Sequence, residues 1–145
     1  MRLWHIDLIP YLPKSQLLAQ WRELNSIFKK QDKHILINYV YNDLFALRIY
    51  TTAIMNEFAK RKYRIKSFVN EINFFEKNQI EPDEAHSMRF KEHNLEYLAI
   101  CYWNLREKYL RGQKDFTQEV WDKLDQFYQS EVWNKFKPQT PQLQK

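Results

Sequence analysis

Glycine is nearly missing from this chain of 145 residues: Gly112 stands alone, where average usage of about 7% would supply about ten. Folds that depend on many tight turns or on glycine-lined phosphate cradles, Rossmann and P-loop sites among them, are therefore excluded. A single cysteine, Cys101, rules out an internal disulfide and a cysteine-based zinc cluster and fits a reducing compartment. Long apolar runs are missing too. The longest, Tyr97 to Trp103, falls far short of the roughly 18 residues that a membrane span needs. At the start of the chain His5, Asp7 and Pro10 interrupt what would have to be the apolar stretch of a signal peptide. The expectation is a cytoplasmic protein that begins at its genuine start.

What is abundant is aromatic and basic. Five Trp, nine Tyr and ten Phe make 17% of the chain, more than one core of this size needs, which leaves rings for stacking or for an interface. Lys and Arg number 23 against 18 Asp and Glu, a formal charge of +5, and the pI of about 9.2 makes a nucleic-acid partner worth testing.

Hydrophobic periodicity reads as helix almost throughout. Pro10 and Pro13 mark an extended lead-in, after which Ser15 can cap a helix carrying Leu17, Leu18, Trp21, Leu24 and Phe28 at helical spacing. Gln16, Gln20 and Glu23 recur on a flank of that stripe, and Arg22 points another way. The segment 33–42 is rich in β-branched and aromatic residues and is left as irregular or short extended structure. A second long helix runs from Asp43 through Leu44, Leu47, Tyr50, Ile54 and Phe58 to the basic run Lys60 to Lys62. A short helix after Ser67 is expected to carry Val69, Ile72 and Phe75, and the polar stretch Lys77 to Ser87 with Pro82 reads as a surface loop. A third long helix spans roughly Glu92 to Arg111, stopped by Gly112, and a fourth Thr117 to about Lys135. The expectation is an all-α fold, a compact single domain of about four main helices over 1–137, followed by a polar tail, 138–145, that frays.

One arrangement narrows the function. The chain starts Met1, Arg2, Leu3 and, about twenty residues on, carries Trp21, Arg22, Glu23, Leu24 on a helix. In this it resembles the pyrimidine-dimer DNA glycosylases of the phage endonuclease V type, small all-α repair enzymes. Their nucleophile is the α-amino group of the first residue, and their essential carboxylate lies in an aromatic, Arg, Glu, Leu motif. The resemblance takes in Leu17, Ala19, Phe28, Lys33 and His34, then Met55 to Ile65. It continues through Ala99, Ile100, Leu105, Glu107 and Lys108, denser over the first 65 residues and patchy to about Lys108. Two departures stand out. The phage-type enzyme loses its initiator methionine to expose threonine, whereas Arg2 is too bulky for methionine excision, so Met1 is expected to be retained. Ser26 stands where the family has an arginine that contacts DNA.

The resemblance implies a DNA repair glycosylase with abasic-site lyase activity, acting on pyrimidine dimers or abasic sites through a Schiff base. Met1 is then the nucleophile. The chemistry is sound on its own terms, because an α-amine with a pKa of about 7.7 to 8.0 is roughly one-tenth neutral at pH 7. Glu23 takes the role of the carboxylate that stabilises the cationic intermediate and moves protons. A lone glutamate on a helix is ordinarily a solvated partner of a basic neighbour; its coincidence with Arg22 and the terminus is what assigns it to catalysis. Arg2 disfavours protonation of Met1 and can hold a phosphate. Arg22, Lys33 and His34 read either as phosphate contacts or as ordinary surface charge, and His34 also as a second proton donor. His5 is an accessory candidate, with the alternative of a satisfied polar residue near the core.

Other clusters carry less. Lys60, Arg61, Lys62, Arg64 and Lys66 form a solvated helix end or a phosphate track. Glu81, Asp83, Glu84, His86, Glu92 and His93 lack a recognised ligand spacing, so no metal and no cofactor is expected. Tyr128, Trp133 and Phe136 either stack on exposed bases or pack in the core, and Cys101 reads as a buried structural thiol. The expected partner is double-stranded DNA with damaged or missing bases, bound by a monomer with no membrane association. The rival from another class is a non-catalytic helical domain that binds nucleic acid or protein.

Overall fold

The stripe of Leu17, Leu24, Ile27 and Phe28 is the buried face of α1 (Lys14–Lys30), as its spacing requires. A computed structural model describes residues 2–31, 33–80 and 88–136, with the side chain of Phe136 outside that description. Four further helices follow α1: α2 (Leu44–Lys60), α3 (Val69–Lys77), α4 (Leu95–Leu110) and α5 (Gln118–Phe136). Two short 3-10 helices, Ile6–Tyr11 and Asn38–Asn42, complete the fold, and no strand occurs among the described residues. All five long elements send side chains into one core, from Leu17 and Leu47 to Phe75, Leu105 and Leu124.

Capping explains most of the boundaries. Asp43 accepts from the amide of Ala46 at 3.0 Å and starts α2. Asn94 accepts from Tyr97 N at 2.9 Å, so α4 begins at Leu95 rather than at Glu92. Thr117 accepts from Val120 N at 3.2 Å ahead of α5. For α1 the cap comes from elsewhere in the chain. Pro13 holds the cap position, and Ser15, one residue into the helix, donates its amide (2.6 Å) and its hydroxyl (2.8 Å) to Asp115 of the α4–α5 link. A carboxylate thus meets the helix's positive end from across the fold.

Helix ends show where the shortage of glycine is felt. Gly112 bends through φ 85 after α4, as expected, but Gln31 (φ 52), Lys62 (φ 64) and Gln79 (φ 57) take the same left-handed backbone with a Cβ attached. At Lys62 and Gln79 the chain makes paired closing bonds, such as Tyr63 N to Phe58 O at 2.8 Å and Ile80 N to Phe75 O at 2.9 Å.

Three local expectations are corrected. The lead-in is a 3-10 helix, because Leu8 and Ile9 turn into the core and His5 Nδ1 accepts from Asp7 N at 3.1 Å. Segment 33–42 is likewise a turn followed by a 3-10 helix, with Ile37 and Val40 buried. On α3 the core face is Phe74 and Phe75, both packed on Phe28 of α1 with ring centroids 5.2 and 5.4 Å away. Val69 and Ile72 face solvent. Arg61 also leaves the expected basic cluster: it bonds Glu57 at 2.7 Å and donates to the carbonyls of Ile9 and Pro10. Lys60, Lys62, Arg64 and Lys66 remain exposed.

The α4–α5 half is held by rings. Tyr102 stacks on Tyr128 at 3.8 Å, Tyr109 on Trp121 at 5.2 Å, and Phe116 closes on Trp121 edge-on. Tyr128 is therefore a core residue, whereas Trp133 is exposed. Cys101 is buried, and burial pushes its thiol up to about 11. Residues 81–87, with four members of the acidic and histidine group, and the polar tail 138–145 lie outside the described residues.

Candidate active site

Residues 2–5 lead into the first 3-10 helix without regular secondary structure of their own, so the backbone groups from here to Ile6 need other partners. Side chains of three helices and one loop supply them. The Gln20 amide of α1 pairs with the segment as a neighbouring strand would: its Oε1 accepts from Trp4 N at 3.0 Å and its Nε2 donates to Arg2 O at 3.0 Å. Tyr50 of α2 places its hydroxyl 2.8 Å from Trp4 O and 2.7 Å from Gln20 Oε1. From α4, Tyr97 donates to Leu3 O at 2.5 Å, and Cys101 Sγ accepts from His5 N at 3.3 Å. His93 Nδ1 accepts from Ile6 N at 3.1 Å. Both faces of the segment are pinned, so the position and direction of Arg2 are fixed.

Arg2 opens into a cleft of about 240 Å³. Trp4, Gln16, Ala19, Gln20 and Glu23 line one side of it, and Asn104 and Lys108 of α4 the other. Glu23 follows Gln20 by three residues, which puts both on the same flank of α1. The carboxylate is half-buried, and its Oε2 is shut off from solvent. Trp4 Nε1 donates to Gln16 at 3.1 Å, and Gln16 in turn donates to Gln113 at 2.8 Å, bracing the far wall through the α4–α5 link. The cleft lining thus combines one carboxylate, Glu23, with two cationic side chains, Arg2 and Lys108.

One residue of the segment belongs to a neutral imidazole pair. His5 and His93 stack with centroids 5.3 Å apart. Because His93 Nδ1 accepts from Ile6, its proton sits on Nε2, 2.7 Å from the Tyr39 hydroxyl. Burial holds His93 down to about 3 and His5 below the ordinary histidine value. His5, itself part of the segment, is thus buried, its ring kept neutral at physiological pH.

Of the residues singled out in the sequence, Arg2 and Glu23 meet in the cleft. Met1 lies outside the described residues. Arg22 is exposed on α1, away from the cleft lining. Lys33 and His34 are exposed beyond the far end of α1, where Lys33 sits 6.0 Å from the Tyr41 ring centroid and borders a separate recess of about 160 Å³. His34 Nδ1 accepts from Leu36 N at 3.1 Å within a turn. Gln20, Tyr50, Tyr97 and Asn104 were not singled out as site residues. Only Gln20 carried a signal, as a polar residue spaced with Gln16 and Glu23 beside an apolar stripe. Among the described residues no group of three or more His, Cys, Asp and Glu side chains is placed to hold a metal ion, and no helix is long and apolar enough to cross a membrane.

Residues 1–71 match the profile of the pyrimidine dimer DNA glycosylase family. The matched stretch, just under half of the chain, is similar to that family. The match contains the pinned segment, all of α1 and the Arg2 and Glu23 side of the cleft, and it ends inside α3. The opposite wall, with Asn104 and Lys108, lies beyond it. No curated protein and no solved structure matches the chain. The all-helical fold agrees with membership of a pyrimidine dimer DNA glycosylase family, and DNA is the substrate class which that family brings.

Proposed function

We propose that this protein is a DNA N-glycosylase with an associated abasic-site lyase activity, acting on pyrimidine dimers or abasic sites through the α-amine of Met1. The observation that carries the reading is the joint presence of Arg2 and Glu23 in one cleft, with the backbone of residue 2 fastened to Gln20. Met1 is joined to Arg2 by one peptide, which spans about 3.8 Å between Cα atoms.

The neutral amine attacks C1′ of the damaged nucleotide, and the glycosidic bond breaks with its electron pair leaving on the base. The alkylated amine then passes one proton to Glu23, the sugar ring opens as its oxygen takes that proton, and the nitrogen, keeping its remaining hydrogen, becomes a C1′ iminium, while the departed base is protonated by solvent. Removal of a C2′ proton sends electrons toward that iminium and expels the 3′ phosphate, which cuts the strand. Glu23 serves twice, as a proton carrier and as the counter-charge to the cation. Arg2 and Lys108 are suited to the flanking phosphates. Arg22, Lys33 and His34 are candidates for outer backbone contacts, which position the duplex without reading its bases. Reaching C1′ requires the duplex to kink or a nucleotide to leave the stack, at a cost of a few kcal/mol that these contacts offset.

Borohydride trapping tests the reading. Untagged protein incubated with duplex containing an abasic site or a thymine dimer should give a covalent adduct that maps to the terminal amine. Glu23→Gln should bind the same duplex and cut it about 10²- to 10⁴-fold more slowly. Salt-sensitive binding with no adduct would make the protein a binding module instead. Cutting by Glu23→Gln at the wild-type rate would remove Glu23 from the mechanism.

A further inference from the structure

Most neutral polar side chains that line the cleft are already committed. Gln20 uses both ends of its amide on its neighbours, its Oε1 for Trp4 N and the Tyr50 hydroxyl and its Nε2 for Arg2 O. Gln16 also uses both ends, accepting from Trp4 Nε1 and donating to Gln113. Asn104, on the α4 wall, is different. Its Nδ2 donates back along the helix to Ile100 O at 2.8 Å, and this sets the orientation of the amide, since only the nitrogen can meet a carbonyl. Its Oδ1 has no partner among the described residues. Asn104 is half-buried, so the wall presents one acceptor with its place unfilled.

What can fill that place follows from the chemistry of the substrate. Phosphate oxygens and the ring and ester oxygens of deoxyribose accept hydrogen bonds and donate none. In intact duplex DNA the N–H donors all belong to bases. An open acceptor is therefore unsuited to the backbone. Arg2 and Lys108, which carry only donors, suit phosphates and leave the base unread. A base lifted from the stack is read through hydrogen bonds to its pairing edge. On thymine that edge has a single donor, the imide N3–H, and a photodimer link through C5 and C6 leaves it in place.

Resting on the reading above, we propose that Asn104 is a specificity-determining residue: its Oδ1 accepts from the N3–H of a damaged thymine held in the cleft, across from Glu23. The neutral amide selects the base, and the cations hold the strand. An abasic site offers no base to read, so the two lesions draw on different residues of one wall, Lys108 for both and Asn104 for the dimer.

Asn104→Leu removes the acceptor. In single turnovers, the ratio of its rate on thymine-dimer duplex to its rate on abasic duplex should fall about 10-fold from the wild-type ratio. A complementary probe alters the DNA. A dimer methylated at N3 has lost the donor, and methylation should slow the wild type about 10-fold more than it slows Asn104→Leu. Thermal melts confirm the folded fraction, and the methylated dimer tests the contact in the wild-type protein if the variant melts early. Equal effects of methylation on the two proteins, or equal losses by the variant on dimer and abasic duplexes, would overturn the proposal and leave the glycosylase reading standing. Competition binding reads the same contact without chemistry: the ratio of affinities for dimer and abasic duplexes should also fall about 10-fold in the variant. That fall, in a protein whose wild type forms no adduct, would support the contact and remove the catalytic reading, whereas an unchanged ratio would overturn the contact.

Discussion

Two regions of the molecule are held together by different physics. Around the segment 2–6 the contacts are directional: Gln20, Tyr50, Tyr97, Cys101 and His93 each meet a particular backbone atom. Between α4 and α5 they are broad ring faces, Tyr102 on Tyr128 and Tyr109 on Trp121. Burial of apolar area stabilises in proportion to its extent and has no preferred direction, whereas a hydrogen bond needs its partner at a set distance and angle. The aromatic region supplies stability, and the polar region supplies position. The recess that needs exact placement is built where the bonds are directional.

The largest effect should come from the aromatic region. Trp121→Ala removes a buried ring that Tyr102, Tyr109 and Phe116 all touch and should cost about 3 to 5 kcal/mol in denaturant unfolding. The trapping rate per folded molecule should hardly change. A parallel fall in that rate would erase the division between the two regions.

Gln20→Leu should act the other way round. It strips partners from Trp4 N and Arg2 O and takes an acceptor from beside the Tyr50 hydroxyl, for a smaller loss of about 1 to 3 kcal/mol. Adduct formation should fall well beyond what the unfolded fraction explains. A variant that traps normally per folded molecule would show that the pinning of residue 2 is not needed.

The third effect is the smallest near neutrality and depends on pH. The unfolded chain binds a proton on histidine near pH 6.5, while His93 in the fold resists it down to about 3. Its contribution is complete above about pH 6.5 and is lost as pH falls through the window between those values, by about 1.4 kcal/mol per unit. Melting at pH 7.5 and 5.5 should show the decline, and His93→Gln, which can still accept from Ile6 N, should flatten it. Equal slopes for the two proteins would place the acid sensitivity elsewhere.

The long helices were legible because each carries an apolar stripe over several turns, and the motif around Glu23 was legible as a string of residues. The short 3-10 helices were not, since six residues at Ile6–Tyr11 and five at Asn38–Asn42 are too few to show a period. On α3 the adjacent Phe74 and Phe75 outcompeted Val69 and Ile72 because Phe28 offered a ring surface to pack on. Gln20 and Tyr97 went unrecognised because they serve backbone atoms, which are the same at every position of a sequence. Lys33 and His34 show that nearness in the chain does not set nearness in space. They stand near the motif in the chain, yet they sit beyond the far end of α1 from the cleft lining, beside a different recess.

The left-handed bends at Gln31, Lys62 and Gln79 leave something in hand. Each asks a residue with a Cβ to adopt backbone angles that disfavour it by about 1 to 2 kcal/mol, and each is exposed and clear of the recess beside Arg2. The fold tolerates this load at its rim, so the molecule stands short of the greatest ruggedness its architecture allows. A tougher form is open to anyone who relaxes those corners and leaves the chemistry alone.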